Sequence, residues 1–327
     1  MVASYLHCSN HIFWHADLTR TYMPPKKSKM AAPRLPEERE IKKVDSANFE
    51  KNDGRDVGEK RKKSTSPNEA VKAAKTEPLL TPDPKVANDV LKFLLADAAV
   101  PFTRPAGAEP IDADERTYFD LLTPFEELLC AVVLSRPISH RLGIRTIRTL
   151  LNEPYSFHDA ETIKKAGPEK VRHAFDDART QHKEKGAEEI RLLADAVLSN
   201  DWHNDLSELR AKAKYNVAEE REILRKNVKG LGPTGLDIFF RRVQWQWEEA
   251  YPFIDSRTQQ ALGKLGLPTE AQELRKMMED DWGRFEKGRT VDMEEDRRRA
   301  FVVVCETALG ANLERKIGEV LKEVEAK

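Results

Sequence analysis

Two stretches of the chain hold residues whose types and spacing can do chemistry: "VKGLGPTG", Val228 to Gly235, and "FIDSR", Phe253 to Arg257. The first puts three of the chain's 15 glycines, Gly230, Gly232 and Gly235, close together and follows Gly232 directly with Pro233. Glycine admits sharp turns and close approach, and proline suits the first turn of a helix, so the stretch reads as a tight joint between two helices. Such a joint leaves N–H groups of the turn and of the second helix's start unpaired and pointing outward, an anion site suited to a phosphate. A helix-hairpin-helix of this kind grips a nucleic-acid backbone and reads no bases. A plain turn between packed helices is the alternative. The second stretch sets an acid, Asp255, at a helix N-cap, ahead of a clean stop at Gly266 and Pro268. Taken alone, an aspartate there needs no role beyond capping.

Around these stretches Lys226, Lys229, Arg241, Arg242 and Arg257 form a local positive patch in the sequence. Trp245 and Trp247 are candidates to stack on a base, although Trp247 shares the apolar face of its helix and reads as core. Upstream, Arg141, Arg145 and Arg148 fall on one helix face, where they can meet phosphates or solvent. Metal chemistry has no comparable pattern. Cys8, Cys130 and Cys305 are far apart, with no CxxC and no His pair at ligand spacing, so no metal, disulfide framework or cofactor is expected.

The elements that must position these residues read as helices. "TPFEELLCAVVLS" has Thr123 as N-cap, Pro124 at the first helical position and Glu126 completing a capping box; its run is apolar all round, as in a central buried helix. Pro84 can open a helix through "VANDVLKFLLADA", and Ser139 can cap the helix carrying Leu142, Ile147, Leu150 and Leu151. A helix from Asp159 ends near Gly167 and Pro168 starts the next, while Asn216 and Glu219 make a second capping box. Beyond the joint Leu236, Phe239, Phe240, Val243 and Trp247 recur at helical spacing; Thr269 and Gln272 open another helix. Few segments alternate as strands do, so the body is expected to be all-α.

Residues 1–80 differ in texture. They are rich in Lys, Glu, Pro, Ser and Ala, and their 16 basic and 11 acidic residues give a net of +5, against −6 for the remainder. This is expected to be a disordered basic tail. Its "KKSK" (Lys26 to Lys29) and "KRKK" (Lys60 to Lys63) runs are of the kind that serve nuclear import or phosphate contact. "MPPKKSK" reads as a natural beginning, which makes Met23 the expected start. The longest apolar run, Leu128 to Leu134, is too short to span a membrane, and few, scattered cysteines suit a reducing intracellular compartment.

The motifs resemble those of the helix-hairpin-helix superfamily of base-excision DNA glycosylases, which includes endonuclease III. That family carries a hairpin L-P-G-V-G, a helix, then V-D-T-H and a helix ending in R-L-G-L; here "VKGLG", a helix, "FIDSR" and "KLGLP" follow in that order. "PFEELLCAVVLSRPIS" is similar to its P-F-x-x-L-x-A-x-x-L-S-x-Q-x-T segment, so the resemblance covers roughly Thr123 to Pro268. It implies a two-lobed all-α fold: residues 124–255 as the hairpin-bearing lobe, 81–122 with 256–327 as the second, and double-stranded DNA in the cleft between them.

The resemblance also implies roles. Asp255 corresponds to the family's catalytic carboxylate, which stabilises positive charge on the sugar as the N-glycosidic bond breaks. Lys229, Gly230, Leu231, Gly232 and Thr234 would hold DNA, with Arg257 beside the aspartate. Thr234 stands where bifunctional members have their Schiff-base lysine, so the expected enzyme is a monofunctional N-glycosylase. Pro137 replaces the glutamine that fills the gap left by a flipped base, leaving Arg136 or Ile138 as the wedge. Only Cys305 lies where many members bind an iron–sulfur cluster. A nuclear, monomeric DNA-repair protein is the expectation; a DNA-binding relative without catalysis, or a helical interaction module, are the alternatives.

Overall fold

In the computed structural model, residues 84–108, 114–285 and 293–326 are described. The basic tail and the expected start at Met23 lie outside them. Helices begin and end largely where capping and breaking residues stand. α1 (Pro84–Leu94) opens on proline and leads through the 3-10 turn Asp97–Ala99 into the short α2 (Val100–Thr103). α3 (Pro124–Leu134) starts from the expected capping box: Thr123 accepts the Glu126 N–H, and Glu126 accepts the Thr123 N–H at 2.8 Å. Ser139 caps α4 (His140–Leu151), and Asp159 caps α5 (Ala160–Asp177). Gly167, at φ 72°, interrupts α5 at the expected place, ahead of Pro168.

α6 (Lys183–Ser199), α7 (Ser207–Lys212) and α8 (Val217–Asn227) follow. Asn216 caps α8 through the N–H groups of Ala218 and Glu219. The reciprocal half of the expected capping box is missing, because the Asn216 N–H already bonds the Ala213 carbonyl at 3.1 Å. α9 (Pro233–Val243) is followed by the 3-10 turn Glu248–Ala250, α10 (Ser256–Lys264), α11 (Ala271–Phe285), α12 (Met293–Leu313) and α13 (Ile317–Glu325). No strand occurs among the described residues. The all-α class is as expected.

Buried apolar side chains gather into two clusters. One surrounds α3, whose whole circumference is buried, and draws on α4 to α6, α8 and α9. The other is formed by α1 with α10 to α13. Tyr118 and Leu122, which the sequence boundary assigned with residues 81–122 to the second lobe, pack in the first cluster, since they directly precede α3. Burial on α3 extends to Glu126 and Glu127, at 0% and 1% exposure. Each is partnered: Glu126 by Arg116, Thr123 and His158, and Glu127 by both arms of Arg242 at 2.8 and 2.9 Å.

Candidate functional site

α8 and α9 are the two arms of the glycine hairpin. Val228 closes α8 through the Leu224 carbonyl, Leu231 is buried against the first core, and Lys229 and Gly230 stand exposed between them. Gly230 takes φ 87°, a conformation that side chains resist, and a Cβ there would come within 2.8 Å of the Glu189 carboxyl carbon. Gly232 is the N-cap of α9 without any capping side chain, at φ −90° and ψ −174°. The N–H groups of Lys229, Gly230 and Gly232 meet no acceptor among the described residues, and those of Thr234 and Gly235 lie in the first helical turn, where no intrahelical acceptor exists.

Asp255 is the N-cap of α10 and is 5% exposed. One carboxylate oxygen accepts the N–H groups of Arg257 and Thr258 at 3.0 and 3.3 Å. The other accepts the Arg241 guanidinium and the Thr258 hydroxyl, both at 2.7 Å. Arg241 also binds Glu306 of α12 at 2.6 Å, and the second Glu306 oxygen accepts the Tyr118 hydroxyl at 2.8 Å. Burial pushes both carboxyls up, but Arg241 with the remaining donors more than offsets it and holds each below the ordinary carboxylate range. The same burial, helped by the Glu306 charge, pushes the Tyr118 phenol well up.

Asp255, Thr234 and Arg257 meet in one cavity of about 170 Å³. Its lining includes the Tyr118–Glu306–Arg241 chain, the apolar Phe119, Ile138 and Leu309, and the polar Ser139, His140, Asp237 and Ser256. His140 Nδ1 lies 2.9 Å from the Glu314 carboxylate, tying the start of α4 to the residue after α12. Ile138, one of the two wedge candidates, thus borders the cavity. The other, Arg136, does not: its side chain is 8% exposed and is held by Glu189 at 2.5 Å and the His182 carbonyl at 3.2 Å.

The positive patch expected from sequence is much reduced. Arg241 and Arg242 are 3% and 4% exposed and serve internal carboxylates; Lys226 pairs with Glu222 at 3.2 Å. Lys229 and Arg257 remain as exposed cations. Of the upstream stripe, Arg145 bonds the carbonyls of Ala178 and Arg179 beyond α5, and Arg148 bonds Gly107 and Glu115, so both hold the fold together. Trp247 is core, as expected, while Trp245 lies under the Arg299 guanidinium, 4.7 Å from its ring centre. The sequence did carry a signal for the buried network: Glu306 is the lone acid in the apolar run "AFVVVCETALG", and such an acid requires a partner. Compared with family models, with curated proteins and with solved structures, the chain matches none.

Proposed function

We propose that this chain binds duplex DNA through the Val228–Gly235 hairpin, as a helix-hairpin-helix protein of the base-excision glycosylase kind. Gly232 carries the reading. Its φ is one that any residue adopts, and a Cβ there would have nothing within 4 Å, so the fold itself does not require glycine. What favours glycine is close approach of a ligand backbone to the outward N–H groups, beside the exposed Lys229. A nuclear, monomeric protein accords with this reading.

Base release is the second reading, favoured by the cavity that Asp255 shares with Thr234. Against it stands the saturation of Asp255. A carboxylate accepting four hydrogen bonds, one from a guanidinium at 2.7 Å, has little capacity left to orient water or stabilise charge on a sugar. Binding without base release is therefore the better supported function.

Two measurements test it. Gly232→Ala is expected to shift the unfolding midpoint by no more than about 3 °C and to weaken duplex binding roughly tenfold, while Lys229→Ala should lower the salt slope of binding by about 1. Unchanged affinity in both variants would remove the hairpin from the function. On duplexes carrying uracil, alkylated, oxidised or mismatched bases, the expected release equals that of Asp255→Asn. Release present in the parent and lost in that variant would instead assign a monofunctional glycosylase.

A further inference from the structure

The first arm of the hairpin contains a buried acid with no part in the interface. Glu220 of α8 is 0% exposed, and neither carboxyl oxygen meets an N–H donor or a hydroxyl among the described residues. It faces another acid, Glu249 of the 3-10 turn, whose carboxylate takes both arms of Arg210 at 2.6 and 2.7 Å. Arg210, on α7, is itself fixed over the rings of Tyr215 and Trp247, 5.2 and 5.1 Å from their centres. Glu220 is therefore met by the Arg210 charge from α7 and by Glu249 from the 3-10 turn; on α8 itself the next residue, Arg221, is already paired with Asp237 of α9.

With its guanidinium in a bidentate grip on Glu249, Arg210 makes no hydrogen bond to Glu220, and no other cation among the described residues does. A fully buried carboxyl beside the mostly buried Glu249 carboxylate cannot ionise at small cost, so the arrangement closes with one proton: Glu220 stays neutral and donates its O–H to Glu249. Burial first, and then the Glu249 charge, push the Glu220 carboxyl up to about 8. Glu249, raised by burial, is brought below the ordinary range by Arg210.

We propose that the Glu220–Glu249 pair is a proton-operated lock on α8: with the proton in place the helix is docked and the hairpin is presented, and loss of the proton loosens both. An unfolded glutamate ionises near about 4.3, so the native state holds an extra proton from there up to about 8. Stability contributed by the pair falls as pH rises through that window and is lowest above it. The consequence for DNA rests on the hairpin reading; the lock itself does not.

The test uses the full chain and Glu220→Gln, a neutral isostere whose amide can donate to Glu249. Amide exchange of residues 217–231, referenced to α12 amides at each pH, is followed from pH 6.5 to 9.5 with the affinity for an undamaged duplex. In the parent, α8 protection and duplex affinity are each expected to fall about tenfold between pH 7 and 9; in Glu220→Gln both ratios stay flat. Identical α8 protection profiles in the two proteins would overturn the lock. A protection difference with no duplex binding by either protein would keep the lock and overturn the hairpin reading. Should the variant fail to fold, carboxyl-carbon NMR of the parent decides: a glutamate titrating near 8 upholds the lock, and none titrating above 6 overturns it.

Discussion

Arg241→Leu is expected to destabilise the protein by about 3–5 kcal/mol in chemical denaturation, the range for removing one partner from a buried ion network. Arg241, on α9 of the first cluster, is 3% exposed, and its guanidinium is shared by Asp255 and Glu306, at 2.7 and 2.6 Å, from α10 and α12 of the second. Leucine would leave two carboxylates within one apolar wall and no cation between them. The pH dependence should invert as well. In the parent both carboxyls lie below the ordinary range, so their stabilisation is present at neutral pH and is lost only as pH falls below about 4. Without Arg241 burial prevails, both carboxyls rise, and the variant should gain stability as pH falls from 7 toward 5. Arg241→Leu combined with Asp255→Asn and Glu306→Gln should recover part of the loss at pH 7. A single variant as stable as the parent would show that water reaches these carboxylates and that the network contributes little.

The second large effect is expected at Gly310. A Cβ on this residue of α12 would lie 2.1 Å from the Thr103 carbonyl oxygen and 3.0 Å from its carbonyl carbon. The obstacle is the backbone at the end of α2, so no rotamer change can relieve it. α12 must retreat from α2, and the retreat opens the second core and displaces Leu309 and Leu313, which border the cavity. Gly310→Ala should cost about 3 kcal/mol. Gly318→Ala is the control: a Cβ there has nothing within 4 Å, and the change should be neutral or favourable by about 0.5 kcal/mol. Comparable midpoints for the two variants would mean that α2 is not held against α12 in solution.

These two sites mark how far the sequence could be read. The capping residues Thr123 and Ser139, the helix start at Asp159, the break at Gly167 and the N-cap role of Asp255 were all legible, because each is a contact within about four residues and depends on local backbone chemistry alone. The hairpin was legible for the same reason. The arginines were not. Arg241 and Arg242 read as a cationic patch beside the hairpin, yet their partners lie 65 and 115 residues away in Glu306 and Glu127. Arg136 read as a wedge, and its partner Glu189 is 53 residues distant.

The sequence by itself thus determined the helical class, most of the capped or proline-opened helix starts and the glycine turn between α8 and α9. Only the tertiary structure decided which charges are free to meet a ligand. A cap satisfies its own helix wherever that helix is packed, whereas an arginine pairs with whichever acid the packing brings within reach. Lys229 and Arg257 emerged exposed, and Arg136, Arg241 and Asp255 emerged already occupied, because helix packing set α6 and α12 opposite them.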